Sequence, residues 1–518
     1  IRLWGGLALA LGLASLCMAV IVDPQWSQRE LLPYPIARFV NLSAATDPQH
    51  PGRPSILYNR LFWYGFAALF LLHLVNGLHA WFPQLPGIPL RFDFNPMREL
   101  FPNARRVPMS SAYFSPIIYP TVVAFSFFLT GTVAFSLGTS QAIYMMFGSV
   151  MLASGLAVGG SMFEANESTM IRFGAYLGMT MVILYIGRRY YLHVLRRGLG
   201  LGGSDASSAS AWAARLLALA VLVSVVLLTG VGVPWWMGLV VVLFLLMIYL
   251  VLARIVAETG CFFIQAWWMP IGVLTALVGM EAIGPTPYLV LGIATILFAG
   301  DPREAIMPYL TNGLKIAEST AGTPARRVVP SMAVMLVLGF IVAGVVTIWF
   351  QYNLGFNQGD RWAFVSLPSM PFNQLAAEHA DLLAQGTLSE ATAMSGFERL
   401  MHIRPGGTMV MWAAVGLGLV LATGFARLRL PWWPLHPVAF LVIGVYPAAM
   451  FAASFLIGWL VKLTVVRVGG AKGYHTMQPL MIGIIAGELT AGLGWAVLGA
   501  IYYLMTDQPP PRYAIFPG

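Results

Sequence analysis

The sequence predicts an all-α fold: a polytopic transmembrane helical bundle with broken or re-entrant helices. Its 58% hydrophobic and 9% charged residues, with a mean hydropathy of +0.76, lie far outside the range of soluble domains. Apolar runs of about 20 residues, each long enough to cross ~30 Å of hydrocarbon as a helix, recur along nearly the whole chain. The period-two alternation of a membrane barrel is missing.

The expected spans lie near 3–22, 58–82, 114–137, 141–163, 168–190, 212–232, 235–255, 261–283, 286–300, 328–350, 407–425, 436–460 and 477–504, about 13 in all. They divide the chain into a first visible span (1–22), a polar Pro-rich segment (23–57), a transmembrane bundle (58–350) with a basic loop at 187–211, an extramembrane cap or loop (351–406), a C-terminal bundle (407–506) and a tail (507–518). The first run begins at Ile1 with neither Met nor a charged signal head, as the interior of a longer chain would, with further spans before it. Cys17 and Cys261 are the two cysteines. Both stand in apolar surroundings and read as packing residues rather than a disulfide framework or a metal site.

The net charge is +9. In a chain of membrane spans, basic residues mark cytoplasmic loops rather than a nucleic-acid surface. "GRRYYLHVLRRG", 187–198, followed by a Gly/Ser-rich stretch, is the strongest such loop. Arg254, Arg326, Arg327, Arg427 and Arg429 fall on the same side of the count. Lys462, Arg467 and Lys472 fall on the other, unless a helix near 436–460 is broken or re-entrant.

Charges inside the spans carry the chemistry, because an ionised side chain at mid-bilayer costs roughly 2.5–3.5 kcal/mol and needs a partner, a wet cavity or a job. In "MIGIIAGELTAGLGWAV" Glu488 stands among small residues near the middle of the last span. Gly483, Gly487, Ala491 and Gly494 would let another backbone approach it. Glu488 then either carries a proton or contacts a solute, or is quietly paired with a buried Arg or a backbone donor. In "LARIVAETGCFFIQAWWMP" Arg254 and Glu258 are four apart on one helix face and can neutralise each other. Thr259 and Gly260 are expected to interrupt that helix before Pro270, exposing backbone to a cavity.

In "FAGDPREAIMPYLTNGLKIAESTAGTPARRVVPS", Asp301-Pro302 is expected to start a helix. The stretch from Arg303 to Ser319 is helical in propensity and too polar to face lipid, with Lys315 and Glu318 three apart as an ion pair or the wall of a path. His73, Asn76 and His79 near one span end, and Glu164, Asn166 and Glu167 at another, read as interfacial and solvated, with a ligand role for His73 or His79 as the sharper alternative. The polar segments 23–57 and 351–406 read as lids or caps, or as solvated connections.

The ordered combination of "RELLPYPIARF", "ARIVAETG", "NGLKIAESTAGTPARR" and "GIIAGELTAGLGWAVLGA" resembles the oligopeptide transporter superfamily. There an acidic residue and a Leu-Pro-Tyr/Phe-Pro turn follow an early span, and Gly-Glu lies in a late helix. "FWYGFAALFLLHLVNGLHAWFPQLPGIP" and the run from "LHPVAFLVIG" to "GGAKGY" look in particular like an uncharacterised prokaryotic branch. The resemblance implies a transporter-like fold, a multi-pass protein of the bacterial inner membrane, and a turn at Pro33, Tyr34 and Pro35 beside Glu30. It also implies a pathway drawn from Glu488, Glu258, Lys315, Glu318, Asp301 and Glu30. Its partners would be membrane lipids, protons, a small peptide-like or chelated solute, and either a second copy or other membrane subunits.

Three function classes follow. The first is a proton-coupled secondary transporter, in which two halves rock about mid-membrane sites. The second is a non-transporting subunit of a larger membrane complex that keeps the fold. An enzyme is not expected: there is no His-Glu-x-x-His, since Glu378-His379 lacks a second His at helical spacing, and no Gly-x-Ser nucleophile turn with a suitable His. Nor do the eight His residues pair as haem ligands would. No metal or cofactor is expected.

Overall fold

The computed structural model describes residues 2–516 except 48–49, 157, 160, 203–206, 262, 302–304 and 357–358. It is built of helices, with one small antiparallel hairpin, Thr46–Asp47 against His50–Pro54, in the polar segment. Eight helices among the described residues are long and apolar enough to cross a membrane. They are Arg2–Arg29, Arg60–Trp81, Glu167–Ile186, Ser208–Thr229, Trp235–Thr259, Arg327–Asn353, Gly407–Arg429 and Tyr446–Thr506. The chain is thus a multi-pass helical membrane protein.

The expected spans that do not appear intact are broken for identifiable reasons. Residues 114–163 hold a short helix, Pro120–Ser126, and a longer one, Gly131–Ala153, on either side of a buried turn. The Leu129 carbonyl freed in that turn accepts a hydrogen bond from Lys462 Nζ at 2.5 Å, and the ammonium also stands 5.0 Å from the Tyr474 ring centroid. Lys462 therefore caps a broken helix inside the protein, which removes it from the count of loop charges. Residues 261–283 are not one span: Gly260, with φ +70°, ends the Trp235–Thr259 helix, and short helices Pro270–Val278 and Met280–Ile283 are parted by Gly279 at φ +89°. The interruption between Thr259 and Pro270 is where the sequence places it.

The expected spans 436–460 and 477–504 are arms of one helix, Tyr446–Thr506. At 1.5 Å per residue its 61 residues would run ~90 Å, about three bilayer cores. It breaks at Gly470, whose φ of 58° and ψ of −152° fall in a region essentially confined to glycine. The polar helix expected from Arg303 begins instead at Met307 and runs to Ala321, which puts Pro308 in its first turn, where a missing N–H does no harm. The expected Asp301-Pro302 cap falls partly on 302–304, outside the described residues. The side chain of Arg326 lies outside them as well, and Arg327 is exposed.

The chain folds as two compact units. In residues 1–37 with 158–425, the Arg2–Asp23 helix packs along Ser208–Thr229 and Met307–Ala321, and the Trp235–Thr259 helix is the most enclosed of the spans. The segment 367–401, expected as a cap, forms helices Leu367–Gln385, Leu388–Ala393 and Glu398–Met401. Arg399 there is 6% exposed and donates to the carbonyls of Ala282, Ile283 and Ala391, capping the end of the Met280–Ile283 helix.

In residues 38–157 with 426–518, the long helix packs on Arg60–Trp81, Pro120–Ser126 and Gly131–Ala153. Its tightest crossing is made without side chains. A Cβ placed on Gly483 would stand 2.0 Å from the Phe62 carbonyl oxygen, one on Gly487 2.3 Å from that of Phe66, and one on Gly65 2.3 Å from that of Leu480. Gly483 and Gly487 thus act as the small-residue pattern predicts, and Ala491 is buried. Gly494 does not, since its Cβ would meet nothing within 4 Å.

Candidate functional site

The turn in "RELLPYPIARF" closes over a buried arginine. Past Asp23 the first helix widens into one π-helical turn, Pro24–Arg29, and delivers Glu30 to Arg254. Arg254 Nη1 donates to Glu30 Oε2 at 2.5 Å and Nε to Glu258 Oε2 at 3.1 Å, with Arg254 side-chain exposure of 8%. The guanidinium also lies 5.4 Å from the Trp26 ring centroid, and Gln25 Nε2 donates to the other oxygen of Glu30. One always-charged group thus donates to an oxygen of each of two carboxylates.

Proline alone does not make this turn. Leu31 and Tyr34 both take left-handed backbone, at φ 53° and 40°, a conformation uncommon outside glycine. At Tyr34 it is held by the backbone N–H, which donates to Ala257 O at 2.9 Å, one of the carbonyls left free at the end of the Trp235–Thr259 helix. Burial and the charge of Asp23 push the Tyr34 phenol well above its ordinary range, so it stays neutral.

On the same turn Ser27 joins the second expected pair. Lys315 Nζ donates to Ser27 Oγ at 2.7 Å and to Glu318 Oε2 at 3.1 Å, and Ser27 Oγ donates to Glu318 Oε2 at 2.9 Å. Glu30, Glu258, Lys315 and Glu318 are therefore brought together at one helix end by Arg254 and Ser27. Burial pushes the Glu318 carboxyl up, but hydrogen bonds from Lys315 and Ser27 outweigh it and hold the group below its ordinary 4.5. The folded value being the lower one, the stabilisation is complete above 4.5 and is lost as pH falls through the folded value. Since the Glu318 side chain is 42% exposed, solvent screening keeps the contribution well under ~1 kcal/mol. Replacing Glu318 by Gln is expected to flatten the acid limb of the stability profile below pH 4.5; an unchanged limb in pH-dependent melting would contradict the assignment.

In the other unit Glu488 is 0% exposed and His73 1%. His73 is thus not the solvated, interfacial residue expected. It lies eight residues before the end of Arg60–Trp81, roughly 12 Å down the helix at 1.5 Å per residue. Its Nε2 faces Glu488 Oε1 at 3.5 Å, and neither atom has a hydrogen-bond partner among the described residues. The other oxygen of Glu488 accepts from the Thr121 backbone N–H at 2.5 Å, near the start of the Pro120–Ser126 helix, where the helix dipole favours an anion. His73 Nδ1 meets Tyr513 Oη at 2.7 Å. Burial and then the charge of Glu488 push the Tyr513 phenol up to about 12, so it keeps its proton and can donate it to Nδ1. A neutral His73 then carries its own proton on Nε2, towards Glu488. The backbone donor was one of the partners foreseen for Glu488; the imidazole and the phenol were not. The signal for His73 was its depth in the helix.

The remaining expected residues serve elsewhere. Asp301 lines a cavity of about 530 Å³ with Ile296, Pro368 and Phe372. Asn166 Oδ1 accepts from the Thr169 N–H and caps the helix that Glu167 begins. Asn76 and His79 fasten the following loop through Ile88 and Leu85. Glu281, Glu390 and His402 bring three donor atoms within 4.8 Å of one another, with Arg404 Nη1 3.5 Å from Glu281; the guanidinium already answers that carboxylate's charge.

A profile described as a family of unknown function, DUF6785, matches residues 1–510. No curated protein matches the chain significantly.

Proposed function

The chain belongs to this family of unknown function, and we propose that it is a proton-linked secondary transporter in which Glu488 takes up and releases the coupling proton. One observation carries the reading: a carboxyl group of 0% exposure among membrane-spanning helices, with one oxygen 3.5 Å from the imidazole Nε2 of His73. An intramembrane acid that is paired with a titratable base, rather than locked to an arginine, can change protonation without leaving an unanswered charge behind. The Arg254 cluster is the opposite case. Its cation holds its charge throughout, and we assign it a structural role at the turn, close to the Lys315 and Glu318 pair. The resemblance to the oligopeptide transporter superfamily supports a small peptide-like or chelated solute and a place in the bacterial inner membrane.

The test is proton flux into proteoliposomes under an imposed gradient, with short peptides and metal chelates as solutes. Solute-dependent flux in the native chain and its loss in Glu488→Gln is the expected result. A folded native protein that moves no proton with any of these solutes overturns it. That outcome would favour the second reading, a non-transporting subunit of a larger membrane assembly. The Arg327–Asn353 span, none of whose apolar window is buried, would then offer a surface for other chains.

A further inference from the structure

We infer that the segment Asp507–Phe516 is a cover over the Glu488–His73 pair, which has to swing aside before a proton can reach it from water. The inference rests on the reading of Glu488 as a proton carrier and adds to it how access is controlled.

Glu488 Oε1 and His73 Nε2 are both shut off from solvent. A proton can reach them only if something around them moves. Two of the neighbours are locked: Arg60–Trp81 and Tyr446–Thr506 cross backbone to backbone at Gly65, Gly483 and Gly487. A third, the start of Pro120–Ser126, is tied down by the Tyr119 N–H to Ser454 Oγ and the Thr121 N–H to Glu488 itself. The fourth neighbour is different in kind.

After the long helix, Asp507 takes left-handed backbone at φ 54° and turns the chain back. The following residues form no helix or strand. Among the described residues, the attachments past Gln508 are side-chain contacts. Tyr513 bonds His73, its ring 6.2 Å from that of Trp495, whose indole N–H donates to His73 O. Phe516 stacks on Tyr119 at 6.5 Å, and Ile515 and Pro510 lie over Gly492 and Gly499. A segment held by a few side chains opens at lower free energy than helices that share backbone contact. Tyr513 is the residue that both seals the pair and polarises His73, so lifting the segment removes cover and hydrogen bond together.

The experiment is labelling of Glu488 by a water-soluble carbodiimide and an amine in the lipid-reconstituted full chain, read by mass spectrometry, with Glu488→Gln as the blank. Glu99, with 74% of its side chain exposed, is the internal standard for an open carboxylate. Labelling in the native chain is expected to lag far behind Glu99 and to rise about tenfold in Tyr513→Ala. It should rise likewise in Phe516→Asp, which loosens the far end and leaves the hydrogen bond to His73 in place. Native labelling as fast as Glu99, or variants of native melting behaviour that label at the native rate, would overturn the cover. Flux lost in Glu488→Gln with labelling unmoved by either variant removes the cover and leaves the proton carrier standing. Labelling that rises while Glu488→Gln retains full flux does the reverse.

Discussion

Arg254→Met is expected to lower stability by about 3–5 kcal/mol, the usual result of removing one partner from a buried ion pair. The loss comes less from the missing attraction than from what stays behind. Glu30, at 10% side-chain exposure, would lose the cation that Arg254 supplies, and so would the oxygen of Glu258 that Arg254 answers. The same reasoning predicts a rescue. Adding Glu30→Gln and Glu258→Gln to Arg254→Met removes the stranded charges, and replacing a whole buried ionic group by neutral residues is often close to neutral. Thermal unfolding of the single and triple variants in one detergent checks both halves. A triple variant no more stable than the single one would mean that the cluster acts through the shape of the turn rather than through charge.

Gly483→Val is the second change of large expected effect. The first carbon of the new side chain would stand 2.0 Å from the Phe62 carbonyl oxygen, and backbone cannot yield as a flexible side chain can. The Arg60–Trp81 and Tyr446–Thr506 helices would have to separate, at the upper end of the ~1–3 kcal/mol typical of overpacking or beyond it. Gly494→Val on the same helix is the control. Its Cβ would meet nothing within 4 Å, and valine is the better helix former, so its melting midpoint should match the native one. Equal losses at the two positions would show that valine harms this helix by itself and that the crossing is not the cause.

Local regularities made part of this molecule legible in advance. The pairing of Arg254 with Glu258 follows from four residues making about one helical turn. The end of that helix before Pro270 follows from Thr259 and Gly260. Glu488 was marked as unusual because few neighbours of its kind occur in an apolar run. The break at Phe127–Leu129 was harder to read, because apolar composition there is continuous and the carbonyl it frees is answered by an ammonium 333 positions away. The gap between the spans 436–460 and 477–504 was legible from its basic residues and glycines; that the break itself falls at Gly470 came from the structure. The chain does turn between Glu30 and Pro35, but its two left-handed residues, Leu31 and Tyr34, and the carbonyl of another helix that accepts from the Tyr34 N–H were not visible in the sequence.

By itself, then, the sequence determined that the chain is helical and lives in a membrane, since run length and hydropathy are properties of consecutive residues and the bilayer sets the scale against which they are read. It also determined which buried charges need an answer. Beyond the Arg254–Glu258 pair, who answers them was decided by tertiary structure. Glu30 finds Arg254 across 224 positions of chain, and His73 finds Tyr513 across 440. The energy that selects those partners is the cost of leaving a charge or a polar atom unpaired away from water. That cost arises only once the helices have closed around it.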